Sequence, residues 1–285
     1  MHITDARTGR RTPVRPGRAG LLRVTLDVGG PGHLFGLRDL RALLTGDVLA
    51  RACEIQGLQV FTELAHPAAP ADGLRVLLAA ADRLGIHPPA RLSPREEAVE
   101  GAEAADAAGR SAADLTITSR PPAEPGLPAE PGPPAVPLLA VGPVTGALPD
   151  ADPAPDAEPL SPIAAGEPDP LALRLALLDH APAAPLALDV DALSAAAATL
   201  ARWRALVADL ANEPSRPLDA DLVRASIDAV HEDLDARVAL RAVQAVAERA
   251  DLAAGTRFET CVRLDQVLAL ELGRDIGRDP GRGPH

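Results

Sequence analysis

The stretch LLRVTLDVGGPGHLFGLRDLRALLTGDVLARACEIQGLQVFTEL, residues 21–64, decides the fold. Its opening alternates: Leu22, Val24, Leu26 and Val28 are apolar, while Arg23, Thr25 and Asp27 are polar. That is the period of a half-buried strand. The GGPG run at 29–32 breaks it. From Leu37 to Gln56 the period becomes helical, with Leu40, Leu43, Leu44, Val48, Leu49 and Ala52 on one face. Leu58–Leu64 then reads as a second strand, ended by His66 and Pro67. Strand, helix, strand predicts a βαβ unit and a piece of parallel sheet.

Moving outward, Asp72–Leu84 reads as a helix closed by Gly85, and Pro94–Leu115 as a further helix rich in Ala and Glu. Sixteen of the 30 prolines fall between Pro121 and Pro170. Each interior proline removes a backbone N–H and collides with the preceding turn, so no helix is predicted there, and a sheet is disfavoured as well. Residues 119–168 are read as a disordered Pro/Ala-rich linker with polyproline II character. Beyond it the pattern is all-helical: Pro170–His180, Asp189–Asn212, Asp219–Leu234, Ala236–Leu252 and Thr256–Leu272. Asp189 is a predicted N-cap, and Thr256 another, with Glu259 completing a capping box. Gly255 and Gly273 are read as stops. Leu193, Leu200 and Trp203 share one stripe, and Leu264, Val267 and Leu268 share another. Short loops predict an antiparallel bundle. The division is therefore an α/β domain at 1–118, the linker at 119–168, a helical bundle at 169–276 and a disordered tail at 277–285.

The chain contains no lysine; its 28 basic side chains are all arginine. Much of its apolar content is alanine, and only Phe35, Phe61, Trp203 and Phe258 are aromatic. Small cores of Leu and Val follow. The net charge of −12 opposes non-specific nucleic-acid binding, and no DNA partner is expected. The charge is uneven. Residues 1–60 carry nine Arg against five acidic residues, a net of +4. Residues 169–275 carry eleven Arg against eighteen, a net of −7. A phosphate partner would favour the N-terminal part. No run approaches about 18 apolar residues, and the N-terminus has no apolar leader, so a cytoplasmic protein with no membrane partner is expected. Cys53 and Cys261, the two cysteines, are read as buried thiols rather than a disulfide framework or a zinc set.

Several segments carry a family resemblance. The opening DARTGRRTPVRPGRAGLLRVTLDVGGPG (5–32) and DLRALLTGDVLARACEIQGLQV (39–60) resemble the start of cysteinyl-tRNA synthetases, class I enzymes with a Rossmann-like catalytic domain. DPLALRLALLDH (169–180) is similar to the segment after that family's second signature. HEDLDARVALRAVQAV (231–246) resembles its helical, DALR-type domain. AGTRFETCVRLDQVLALEL (254–272) is similar to its C-terminal ending, over about twenty residues in register, and is the most specific of these matches. The resemblance implies a remnant of the catalytic domain followed by a DALR-like bundle.

What the resemblance implies for chemistry is mostly loss. Counted back from Asp47, the slots of the phosphate-holding HIGH-type loop fall on Gly36, Leu37, Arg38 and Asp39, without either histidine. His33 is nearby and could substitute; otherwise it is a surface loop residue. Asp39–Leu40–Arg41 matches the family's anchoring Asn/Asp-Leu-Arg variant. The first zinc-ligand slot falls on Gly29 or Val28, and Cys53, Cys261, His66 and His87 lack a spacing that rebuilds the site, so zinc is not expected. The KMSKS-type slot, PLSPIAAGEP at 159–168, offers no cation. No catalytic residue is assigned. Gly29, Gly30, His33, Asp39 and Arg41 mark a vestigial nucleotide site, with ATP the one cofactor it could take.

The leading expectation is a degenerate paralogue that lacks adenylation and serves binding or assembly, through a protein partner or a homodimer. The first alternative is a residual ATP-dependent cysteine–tRNA ligase or related ligase. The second is an RNA-binding helical module, with tRNA as partner, which would need Arg202, Arg204, Arg237 and Arg241 on one face. Asp179–His180 is read as pointing to different faces, His231-Glu232-Asp233 as a solvated helix face, and Ser194, Ser215 and Ser226 as lacking a histidine partner.

Overall fold

The computed structural model describes residues 1–17, 20–29, 35–67, 71–95, 113–120, 136–146, 160–165 and 169–278. The βαβ unit forms as the alternation predicts. Strand β3 (Leu21–Asp27) leads through helix α1 (Leu37–Ile55) to β4 (Gln59–His66), and the two strands pair in parallel from Leu21↔Gln59 to Asp27↔Ala65. Helix α2 (Ala71–Arg83) follows, ended at Gly85, and β5 (Arg91–Pro94) adds to β4 in parallel.

The sheet continues where the sequence reads otherwise. Leu115–Thr118, taken as the end of a helix and the edge of a linker, is strand β6 and pairs with β3. Leu138–Ala140, inside the predicted linker, is strand β7 and pairs with β6. Leu115, Ile117 and Leu139 are buried, so these short segments are held by burial on the sheet rather than by local propensity. The five parallel strands run in the order β5-β4-β3-β6-β7. Numbered among themselves they read 3-2-1-4-5, a doubly wound, Rossmann-like order with its switch point between β3 and β6. The sheet is thus a complete five-stranded parallel sheet rather than a remnant of one.

Two further segments of the predicted linker are ordered: β8 (Val144–Thr145), which pairs with β9 (Leu186–Ala187), and the short helix α3 (Ser161–Ala165), which packs on α2. Residues 121–135, 147–159 and 166–168 of that stretch, most of the Pro94–Leu115 helix and the last seven residues of the tail lie outside the described residues.

The C-terminal half is helical: α4 (Pro170–Leu178), α5 (Val190–Leu210), α6 (Ala220–Val230), α7 (Arg237–Glu248) and α8 (Ala254–Leu268). Asp189 caps α5, accepting the Ala192 N–H at 2.8 Å; Asp169 and Asp219 cap α4 and α6 in the same way. Thr256 is not a cap. Helix α8 begins two residues earlier, its N-cap Ala253 makes no side-chain bond, and Gly255 lies inside the first turn rather than stopping a helix. Glu259, freed from a capping box, accepts the Ser215 hydroxyl at 2.7 Å. Leu193, Leu200, Trp203, Leu264, Val267 and Leu268 are all buried, as their stripes predict. At the C-terminal end of α8, Ala269 and Glu271 adopt left-handed backbone, and the half-buried Asp265 carboxylate fastens the turn by accepting the Leu270 and Leu272 N–H groups at 2.8 Å each.

One hydrophobic core runs through both halves, which therefore pack as one body rather than as two domains on a tether. Helix α1 is the reason. It touches β3, β4 and β6 on one side and α8 on the other, and it is buried almost all round, not along one face. An N-terminal hairpin of β1 (His2–Thr4) and β2 (Arg11–Pro13) completes the fold. It docks on His231-Glu232-Asp233, which is therefore a joint and not a free helix face. Asp233 accepts the Thr4 hydroxyl at 3.0 Å, His231 accepts the His2 N–H through its carbonyl, and Glu232 pairs with Arg11.

Candidate functional site at the carboxyl end of the sheet

In an open parallel sheet, ligands bind outside the carboxyl ends of the strands at the switch point, against the N-terminus of the first helix. Here that place is bounded by the end of β3 (Asp27, Val28, Gly29), the end of β6 (Thr118, Ser119, Arg120), Arg95 after β5, and the start of α1 at Gly36.

Asp39 occupies the helix end. Its carboxylate accepts the Gly29 N–H at 2.7 Å, the Gly36 N–H at 2.8 Å and the Ser119 hydroxyl at 2.5 Å. Gly29 at the end of β3 and Gly36 at the start of α1 are therefore tied together by a side chain of the helix. Gly29 has φ of +70°, and a Cβ there would lie 3.0 Å from the Phe35 ring and 3.2 Å from Pro67, so the position suits glycine on both counts. Gly30 and His33, the other loop members of the predicted nucleotide site, lie outside the described residues.

Arg41 is on the same helix but does not face the crevice. Its guanidinium is buried and donates to the carbonyls of Ala184 at 2.6 Å and Ala181 at 2.8 Å, with longer contacts to Gly142 and His180. Burial first, and the neighbouring Arg38 second, push it down to about 10. Arg38 reaches the Val141 carbonyl at 2.8 and 3.0 Å. Arg38 fastens α1 to the segment after β7, and Arg41 fastens it chiefly to the loop after α4. Gly142 is tightly enclosed there: a Cβ would lie 2.2 Å from the Ala184 carbonyl oxygen. So of the predicted nucleotide residues, the structure brings Gly29 and Asp39 together and sends Arg41 to a structural joint.

The sequence reading passed over the cations that do reach the crevice. Arg95 Nε donates to Asp27 Oδ1 at 3.0 Å, and its Nη2 donates to the Val28 and Gly29 carbonyls at 2.7 Å each. Arg120 approaches Asp27 Oδ2 at 3.4 Å, and Thr118 donates to the same oxygen at 3.2 Å. Asp27 was seen only as a polar member of an alternating strand. Its place at the carboxyl end of the central strand, beside the glycine-rich turn, was the signal that could have marked it. Chemically, this cluster can attract an anion through Arg120, whose side chain is 45% exposed. Among the described residues the Ser119 hydroxyl donates to the Asp39 carboxylate, and no nucleophile–histidine pair forms there.

The deepest ionic cluster lies further along α1. Asp47, fully buried, accepts Arg174 Nη2 at 2.6 Å, Arg51 Nε at 2.8 Å and the His87 N–H at 3.0 Å. Arg174, also fully buried, donates as well to the Leu268 and Leu84 carbonyls at 2.6 and 3.0 Å. Burial alone would raise the Asp47 carboxyl, but Arg174 and Arg51 hold it below the ordinary range. This is a joint between α1, the end of α2, α4 and α8.

The four arginines required by an RNA face separate. Arg204 is buried, donating to the Leu270 and Glu271 carbonyls; Arg237 is tied to Asp235; Arg202 and Arg241 border a groove in the bundle. Cys53 and Cys261 are buried free thiols, and burial pushes both up to about 11. Among the described residues no group of three or more His, Cys, Asp or Glu side chains could hold a metal ion, and no helix is long and apolar enough to cross a membrane. No protein-family model matches the sequence, and no curated protein matches it.

Proposed function

We propose that the chain is a catalytically degenerate relative of cysteinyl-tRNA synthetases, with a binding or assembly role in place of adenylation. The observation that carries this is Asp39. A class I nucleotide fold needs free N–H groups and positive potential at the first strand-to-helix turn. In this chain a carboxylate takes the N–H groups of Gly29 and Gly36, and it would repel an incoming phosphate. The cations are engaged as well: at the crevice Arg95 is bound to Asp27 and to the Val28 and Gly29 carbonyls and Arg120 faces Asp27, while on α1 Arg38 and Arg41 are bound to main-chain carbonyls, and no lysine exists to replace them.

The test is isothermal titration of the purified protein with ATP and with a non-hydrolysable cysteinyl-adenylate analogue. Neither ligand is expected to give heat at concentrations up to the millimolar range. Micromolar binding of the analogue would overturn this reading and support a residual ligase, anchored at Arg120 and Arg95 rather than at Arg41.

A further inference from the structure

The bundle holds a groove that the nucleotide fold does not explain. It opens between α4, α5 and α7, encloses about 400 Å³, and is floored by Leu186, Leu188, Trp203 and Leu240. All four are buried, so the floor is set by the core and not by mobile side chains. Trp203 Nε1 donates to Gln244 Oε1 at 2.9 Å, which fixes the indole in place. A cavity of this size with a few convergent polar groups falls within the roughly 300–1,000 Å³ range of small-molecule sites.

The mouth carries the chemistry. Arg202 on α5 and Arg241 on α7 both border the groove and are exposed. Among the described residues neither guanidinium has an ion pair or a hydrogen bond, although most other described arginines have one and the bundle is acidic, with a net of −7 over residues 169–275. Asp179 and His180 stand on the same rim; α4 ends at Leu178, so they are not separated onto different faces. The rim thus carries two cations and one carboxylate over an apolar floor, with Asp235 acting on Arg241 from outside the groove. Guanidinium forks match a planar carboxylate, with two parallel N–H donors each.

We infer that this groove binds a small amphipathic carboxylate, its apolar body over Trp203 and Leu240 and its anionic end between Arg202 and Arg241. The inference is independent of the descent argued above, because none of these residues touches the sheet crevice. Trp203 is the sole tryptophan of the chain, so its fluorescence reports the groove directly.

The experiment titrates the full chain with decanoate, decanol and decyltrimethylammonium, each below its aggregation concentration, following tryptophan emission. Decanoate is expected to bind saturably at one site, with decanol at least tenfold weaker and the cation weaker still. Arg202→Ala and Arg241→Ala should each weaken decanoate by roughly tenfold. Ala195→Phe, at an exposed helical position on the groove, should block it while leaving the fold intact as judged by circular dichroism. Equal affinity for all three probes, indifference to both arginine substitutions, or displacement of decanoate by a short oligoribonucleotide with higher affinity would each overturn the inference. The last outcome would assign the arginine pair to a phosphate backbone instead.

Discussion

Asp39 and Asp47 sit on one helix, both buried, and are held in opposite ways. Asp39 is held by neutral donors, two main-chain N–H groups and a hydroxyl. Asp47 is held by two guanidiniums and one N–H. The first ties the end of the central strand to the start of α1; the second joins two halves of the molecule. A buried carboxylate with hydrogen-bond donors alone replaces a ligand, whereas one facing a fully buried arginine is inseparable from the packing around it.

Breaking the Asp47 joint should have the largest effect. Asp47→Ala leaves Arg174 buried without its counter-charge, and a loss of about 3–5 kcal/mol of stability is expected from urea unfolding. The same site sets the acid limb. Asp47 titrates lower in the folded chain than in the unfolded one, so its contribution is present above the unfolded value and lost as pH falls through the folded one. Asp265 shifts the other way: burial raises it, and its two N–H donors and the nearby Arg174 and Arg204 offset only part of that. Its contribution is therefore full below the unfolded carboxylate value and lost as pH rises through the folded one. Asp47→Asn should flatten the stability loss below about pH 4, while Asp265→Asn should leave that loss in place and lessen the opposing change at higher pH. Urea midpoints measured from pH 3 to 7 separate the two.

Gly142→Ala attacks the other joint of α1, the one made by Arg38 and Arg41. The added methyl meets the Ala184 carbonyl, which also receives Arg41, and a cost of about 1–3 kcal/mol is expected in thermal or urea unfolding. Asp39→Ala should cost roughly 1–2 kcal/mol, since three donors lose their acceptor near solvent. Its sharper signature is ionic: millimolar sulfate should raise the melting temperature of the variant and leave that of the parent chain unchanged. The smallest effect belongs to Arg120→Ala, whose half-exposed pair with Asp27 should be worth less than about 0.5 kcal/mol.

The comparison also explains what the sequence could disclose. The βαβ unit was legible because β3 alternates cleanly and α1 follows a glycine-rich break. Strands β6 and β7 were not, because LTIT and LLA are too short to show a period and sit among prolines that read as linker. Their strand state comes from neighbours far along the chain. The bundle was legible through its apolar stripes and the cap at Asp189; the caps at Asp169 and Asp219 were not singled out, and α7 and α8 start at Ala236 and Ala253 with no side-chain cap to mark them. Of the candidate site, Gly29 and Asp39 were found because turn and helix start are local. Asp27, Arg95 and Arg120 were missed because they meet only after the sheet forms, and Arg41 was misplaced because carbonyl acceptors leave no mark in a sequence.

Asp39 has a consequence for how this fold answers its surroundings. A protein that binds an anion only when folded gains stability in proportion to the logarithm of that anion's concentration. Here the anion is covalently part of the chain, at a local concentration fixed by the helix. On the reading proposed above, the chain is always in its own ligated state, and its melting temperature should not follow the nucleotide supply around it.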